Sequence, residues 1–192
     1  MQELIVSTGN PGKLQEMQAY LANTGWSLSL KPAELDIEET GDTFAANASL
    51  KAQQTAIATG KWSIADDSGL EVAALNGAPG IYSARYANTD ADRIARILAE
   101  MADKSDRQAR FICAVAIARP DGQIADRFAG VCEGEILLTP SGSGGFGYDP
   151  IFYVPTVGMS FAEMPPETKK QVSHRGRAMA LAHASLLRLI VV

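Results

Sequence analysis

Apolar residues along this chain follow two rhythms, one of period two and one close to 3.6. Residues 3–8 form a short apolar run ending in Thr8-Gly9-Asn10-Pro11-Gly12, after which Leu14, Met17, Tyr20 and Leu21 recur at helical spacing up to Gly25. The pattern predicts a strand, a glycine turn and a helix. Trp26 to Leu30 reads as a second strand, and a long helix is expected from Thr43 to Ala58, capped by Asp42 or Thr43 and stopped at Gly60. Ala45, Ala48, Ala52 and Ala56 make one face of that helix small. Ser63-Ile64-Ala65 reads as a strand running into Asp66-Asp67-Ser68-Gly69, with a partner strand at Leu70 to Ala74. Thr89 or Asp90 caps a helix carrying Ile94, Ile97, Leu98 and Met101 on one side. Arg110 to Arg119 and Ile124 to Leu138 are β-rich around the turn Pro120-Asp121-Gly122, which predicts an antiparallel hairpin. A glycine-dense loop, Ser141 to Gly147, leads into Tyr148 to Phe152, and a last helix is expected from about Gly176 to Leu189. Helices between the early strands and a hairpin among the later ones predict an α/β fold, a long mixed β-sheet flanked by helices.

With 192 residues, no repeat and no Pro/Ser-rich linker, the chain reads as a single domain over 1–192. Its 46% hydrophobic and 20% charged residues exclude disorder. A net charge of −5 with scattered Lys and Arg gives no basic stripe, so nucleic acid is not the expected partner, although a local cluster of donors could still hold a small anion. The N-terminal Met1-Gln2-Glu3-Leu4-Ile5-Val6 lacks the pattern of an export signal. The longest apolar runs, such as Ile112 to Ala118, are far below the ~20 residues a membrane span needs. A soluble, cytoplasmic protein is expected, with Cys113 and Cys132 as reduced thiols buried in strands and no metal held by them.

Four segments carry chemistry. Ser7 to Lys13 turns a strand into a helix through glycines, where exposed N–H groups, the helix dipole and Lys13 suit a phosphate. The spacing is neither a Walker A loop nor GxGxxG, and the bland alternative is a tight connection with a surface lysine. Asp66-Asp67-Ser68-Gly69 places two carboxylates at a strand end on alternate faces, a donor type that suits Mg2+, with Glu38-Glu39 able to complete the shell. The alternative is ordinary turn chemistry beside a solvated acidic rim. Gly144-Gly145-Phe146-Gly147-Tyr148-Asp149 sets aromatics among glycines, as base stacking would require, or else is a strand end packing its Phe. Ser173-His174-Arg175-Gly176-Arg177, near Lys169, concentrates donors or is only a charged helix start.

Taken together, STGNPGK at 7–13, ADDSGLEV with GAPGIYSARYA at 65–87, GGFGYDPIF at 144–152 and SHRGRA at 173–178 resemble the inosine triphosphate pyrophosphatase family, in order and spacing from residue 4 to about 187. The resemblance implies a homodimer whose mixed sheet forms two lobes around a nucleotide cleft. It implies Mg2+-dependent hydrolysis of inosine, deoxyinosine and xanthosine triphosphates to monophosphate and pyrophosphate, cleansing the nucleotide pool. By the same resemblance Thr8, Gly9, Asn10, Pro11, Gly12, Lys13 and Lys51 would hold the triphosphate, Glu39 and Asp67 the metal, and Asp67 would also activate water. Ser68 would contact substrate, Phe146 would stack on the purine with Gly147, Tyr148 and Asp149 shaping its pocket, and Lys169, His174 and Arg175 would reach the base edge. Ala46 departs from the glutamate the family commonly carries before Asn47, which puts the support of the metal or Lys51 in question. Two other readings stand beside this one: a sensor that binds the nucleotide without cleaving it, and a pyrophosphatase for pyrimidine or methylated nucleotides. The pairing of Asp67 with Glu39 disfavours the first, and the match at SHRGRA the second.

Overall fold

The computed structural model describes residues 2–9 and 11–190, and for Pro11 and Gly12 only the course of the backbone. Strand β1 (Gln2–Val6) is followed by helix α1 (Pro11–Tyr20) and strand β2 (Trp26–Leu30), which returns parallel to β1 with Leu4 opposite Leu28. Helix α2 (Phe44–Thr59) and strand β3 (Trp62–Val72) follow, β3 lying parallel to β1 on its other side. Helix α3 (Asp90–Glu100) precedes the long strands β4 (Gln108–Ala118) and β5 (Ile124–Ile136). The short strands β6 (Phe152–Val154) and β7 (Met159–Ser160) then add antiparallel, before helices α4 (Pro166–Val172) and α5 (His174–Leu189). The result is the mixed sheet that was expected, of seven strands in the order β2-β1-β3-β4-β5-β6-β7.

Helix α2 shows how local sequence sets a boundary. The Thr43 hydroxyl accepts the Ala46 N–H at 3.1 Å, a cap contributing about 1 kcal/mol. At the other end Gly60 adopts φ +65°, a left-handed stop, and donates its N–H to Ala56. Ala48, Ala52 and Ala56 are buried, and this small face lets the Ser63 hydroxyl reach the Ala52 carbonyl at 2.5 Å. Ala45 is exposed, so the small face is narrower than its spacing suggested.

Several expectations need correction. β1 ends at Val6 rather than residue 8, α1 ends at Tyr20 rather than near Gly25, and β5 ends at Ile136 rather than Leu138. More consequentially, Asp66-Asp67-Ser68-Gly69 is no turn between two strands. β3 runs unbroken from Trp62 to Val72, because residues 63–67 are all buried and the two carboxylates meet their partners inside the fold instead of leaving for water. The last helix begins at His174, so His174-Arg175-Gly176-Arg177 forms its first turn instead of preceding it. The seven-residue α4, opened by Pro166, is too short for its period to register in the sequence.

Backbone contacts divide the chain into two compact units, 1–67 with 113–130 and 176–192, and 68–112 with 131–175. The first is built on Leu4, Val6, Met17, Leu21, Ile64, Val115, Ile117, Met179 and Leu186. The second is built on Leu70, Ile97, Met101, Phe111, Ile151, Phe152 and Phe161. Cys113 and Cys132 are buried and not joined in a disulfide, in β4 and β5 respectively, as expected. Among the described residues no helix is long and apolar enough to cross a membrane.

Candidate functional site

In the first unit, α2 carries Asn47, Lys51 and Thr55, four residues apart and therefore stacked along one face. Each reaches a different part of the predicted phosphate and metal region. The Asn47 amide, fully buried, donates from Nδ2 to Asp67 Oδ2 at 3.1 Å while its Oδ1 accepts the Gly41 N–H at 2.8 Å. Lys51 Nζ donates to Glu39 Oε1 at 2.5 Å and lies 3.7 Å from Asp67 Oδ1. Thr55 donates its hydroxyl proton to Ser7 Oγ at 2.7 Å, bracing the root of the strand-to-helix turn.

Alternation along β3 sends the two aspartates to different partners. Asp66 meets Lys13 of α1 at 3.4 and 3.5 Å, and Asp67 meets Asn47 and Lys51 of α2. Ser68 follows on the same strand, half-buried. Burial pushes the Asp67 carboxyl above its ordinary value, the pull of Lys51 and Asn47 notwithstanding, with Glu39 and Asp66 adding repulsion. Burial alone would lower Lys51, but Asp67, Asp66 and Glu39 outweigh it and hold its ammonium charged. Glu39 takes this lysine while Glu38 is exposed, which distinguishes two acidic neighbours the sequence left equivalent. Thr8 and Gly9 follow β1 and Lys13 lies in the first turn of α1; Asn10 falls outside the described residues, as do the surroundings of Pro11 and Gly12. Ala46 lines a groove of about 550 Å3 with Ser49, Gln53, Gln54 and Arg127, beside the Asn47–Lys51–Thr55 stripe rather than in it.

In the second unit, Phe146 is 52% exposed between two glycines of left-handed φ, Gly145 at +74° and Gly147 at +62°. Gly145 is also required by space, since a Cβ there would stand 2.0 Å from Asp149 Oδ2. That oxygen accepts the Phe146 N–H at 2.8 Å and the Lys169 ammonium at 2.5 Å. Lys169 Nζ stands 5.4 Å from the Phe146 ring centre and Arg175 Cζ 5.8 Å, so the ring is flanked by two cations. His174 stacks on Phe111 with centres 4.7 Å apart and an interplanar angle of 11°. Both residues make other interactions, while two of their buried nitrogens, His174 Nδ1 and Arg175 Nε, accept or donate no hydrogen bond among the described residues. Tyr148 is a core residue whose hydroxyl donates to the Ser83 carbonyl at 2.8 Å, and burial pushes its pKa up to about 12. Gly147 donates its N–H to Asp90 Oδ2 at 2.7 Å, and Asp90 in turn pairs with Arg93 at 2.5 Å.

The predicted residues thus gather in two groups, each within its own unit. Sequence reasoning missed Asn47 as a support of Asp67, together with Thr55, Asp90 and Arg93. The spacing of Asn47, Lys51 and Thr55 on a foreseen helix was a usable signal; Asp90, far in sequence from Gly147, offered none.

Residues 4–184 match the Ham1 family. The chain is 67% identical over 177 residues to a protein of Nostoc sp. named dITP/XTP pyrophosphatase, covering 92% of this chain and 90% of that one. It is 58% identical over 178 residues to a Synechocystis sp. protein of the same name, covering 93% and 92%. Among solved structures, a HAM1 protein from Coxiella burnetii superposes with a TM-score of 0.92 at 43% identity, covering 98% of this chain and 100% of that one. The chain belongs to the Ham1 family.

Proposed function

We propose that this protein hydrolyses the triphosphates of damaged purine nucleosides, dITP, XTP and ITP, to the monophosphate and pyrophosphate with Mg2+. The name shared by the relatives supports the substrate class. The observation that carries the chemistry is Asp67, a buried carboxylate gripped at Oδ2 by Asn47 and facing Lys51 at Oδ1. Thr8, Gly9, Asn10, Pro11, Gly12, Lys13 and Lys51 hold the triphosphate. Asp67 accepts a proton from water as the water oxygen bonds to the α-phosphorus; the bond from that phosphorus to its bridging oxygen breaks, and pyrophosphate leaves with the oxygen. Burial, by raising its pKa, makes Asp67 a stronger base than an exposed aspartate.

The residues present fit Mg2+. The donors are all oxygen, and among the described residues no group of three or more His, Cys, Asp or Glu is arranged as a metal cage. Magnesium needs no such cage, because it takes one or two carboxylates and completes its shell with waters and substrate phosphates. Lys51 already stands as a cation between Glu39 and Asp67, the two residues that would hold the ion. When bound, the ion supplies charge neutralisation at the phosphate oxygens.

On the base side, Phe146 stacks on the purine, held by Gly147, Tyr148 and Asp149, while Lys169, His174 and Arg175 face its edge. Hypoxanthine and xanthine offer a 6-oxo acceptor where adenine offers a 6-amino donor. Donors at this edge therefore leave adenine mismatched, a difference that can reach about 10⁴-fold. Ser68 contacts the substrate from β3. The reading includes a homodimer acting in the cytoplasm, as the family resemblance implies.

The test is turnover of ITP, dITP, XTP and ATP with Mg2+ and with a chelator, resolving pyrophosphate from orthophosphate. Monophosphate with pyrophosphate, lost on chelation, is expected. Orthophosphate with a diphosphate product overturns the reading.

A further inference from the structure

We propose that Asp90, backed by Arg93, is a positioning residue that sets the Phe146 ring for the nucleobase. The inference rests on the base-side reading above and adds a residue outside the segments that carried it. Thr89 performs the capping of α3: its hydroxyl oxygen accepts the Asp92 N–H at 3.1 Å and its proton goes to Asp92 Oδ2 at 2.8 Å. The Asp90 carboxylate, released from that task, divides its oxygens. Oδ1 takes Arg93 Nη1 at 2.5 Å and Oδ2 accepts the Gly147 N–H at 2.7 Å. Arg93 is itself tied to backbone, donating from Nε to the Ala87 carbonyl at 3.1 Å.

Phe146 needs such an anchor because the glycines at 145 and 147 allow its backbone a wide range of conformations. Two carboxylates hold the consecutive N–H groups of Phe146 and Gly147, and they differ in kind. Asp149 lies three residues beyond Phe146, so its bond to the Phe146 N–H shapes the local turn, and it reaches another element only through Lys169 of α4, which shares the same oxygen. Asp90 lies 57 residues from Gly147, on a helix whose Ile97 is fully buried, followed by an equally buried Met101. The Asp90 bond therefore ties the backbone beside the ring directly to α3, in the body of its unit. Hydrogen bonds to a charged acceptor are roughly twice as strong as neutral ones, which suits a carboxylate gripping a glycine-flanked backbone.

The experiment combines Asp90→Ala, Asp90→Asn, Phe146→Ala and the double variant Asp90→Ala/Phe146→Ala. It measures KM and kcat for dITP with Mg2+, and hydrogen exchange at the Gly147 amide. Asp90→Ala is expected to raise KM about tenfold, the low end for losing a hydrogen bond to a charged group, with kcat little changed. Asp90→Asn, which keeps a carbonyl acceptor, should restore part of the loss. The double variant should be no worse than Phe146→Ala, because Asp90 acts through the ring, and the Gly147 amide should exchange faster in Asp90→Ala. Additive losses in the double variant, an unchanged KM in Asp90→Ala beside a raised one in Phe146→Ala, or an unchanged Gly147 exchange would each overturn the positioning role. An unchanged KM in Phe146→Ala overturns the base-side reading itself, and the role of Asp90 falls with it.

Discussion

Asp67 in the first unit and Glu163 in the second are both hydrogen-bonded carboxylates, yet they are displaced in opposite directions. Burial pushes the Asp67 carboxyl above its ordinary value, whereas the Ser141 hydroxyl and the Ser160 N–H hold the exposed Glu163 below its own. The first group gives up stability to keep a buried negative charge beside other carboxylates. The second gains stability by bracing a loop at the surface. The same contrast runs through the two regions: the first is built on a strand and a helix, with side chains repeated every four residues, and the second on a glycine loop closed locally by Asp149 and pinned from outside by Asp90 and Glu163. A strand and a helix carry Asp67 and its partners, and a tethered glycine loop carries the proposed base recognition.

The sharpest way to break the comparison is Asp67→Asn. As the proposed base, its loss should lower kcat by at least about 10²-fold while nucleotide binding largely survives. The same variant should melt higher than the wild type in chelator-treated protein at neutral pH. A carboxyl whose folded pKa is raised contributes its stability fully below the unfolded value near 3.8, and loses it as pH rises through the folded one. A neutral asparagine escapes that loss, so the gap in Tm should close as pH falls. A variant that melts lower at neutral pH would show that Lys51 and Asn47, not burial, dominate at this position.

Next in size is the division of labour between the regions. Arg175→Ala removes a donor beside Phe146 and should cost about 1 to 3 kcal/mol in kcat/KM for inosine triphosphate, with little change for adenosine triphosphate. Lys13→Ala removes a charge proposed to meet every triphosphate and should weaken both substrates by a similar factor. The preference ratio therefore shrinks in the first variant and holds in the second. An unchanged ratio in Arg175→Ala moves base recognition to Lys169 and Asp149.

Asn47→Ala tests how the first region is wired. It strips one hydrogen bond from Asp67 and leaves the Gly41 N–H without its acceptor, a loss of about 1 to 3 kcal/mol for buried groups. Urea unfolding should record that loss, and kcat should fall more than KM rises. A change in KM alone would mean that Asn47 serves binding rather than Asp67.

How much of this was legible depended on whether the cause lay nearby in sequence. The limits of α2 were readable because Thr43 and Gly60 act within one turn of the ends they define. The parallel start of the sheet followed from a strand-helix-strand order that admits few alternatives. Asp66-Asp67-Ser68-Gly69 misled because its composition suits a turn, while the partners that hold those carboxylates inside a strand, Lys13 of α1 and Asn47 and Lys51 of α2, are distant in sequence. Phe146 and Lys169 stood out as chemistry in the sequence. Asp149 was placed beside them by the resemblance, but that one of its oxygens takes both the Phe146 N–H and the Lys169 ammonium could be read only from the fold, as could the anchoring of Gly147 by Asp90.

The smallest expected effect lies at Glu163, and it is the counterpart of Asp67. Its Oε1 accepts the Ser141 hydroxyl at 2.7 Å and its Oε2 the Ser160 N–H at 2.8 Å, joining the start of the glycine loop to the end of β7. Because the folded pKa is depressed, the group contributes stability above the unfolded value near 4.5 and loses it as pH falls through the folded value. Glu163→Gln keeps an acceptor but no charge. It should melt slightly below the wild type at neutral pH, and the two curves should converge on acidification below the folded pKa. In Asp67→Asn the gap has the opposite sign and also closes toward acid, so a single pH series of Tm values on the two variants reads both regions at once. A Glu163→Gln gap that persists unchanged through the acid range would mean that shape and not charge braces the loop, and the opposition between the two carboxylates would be lost.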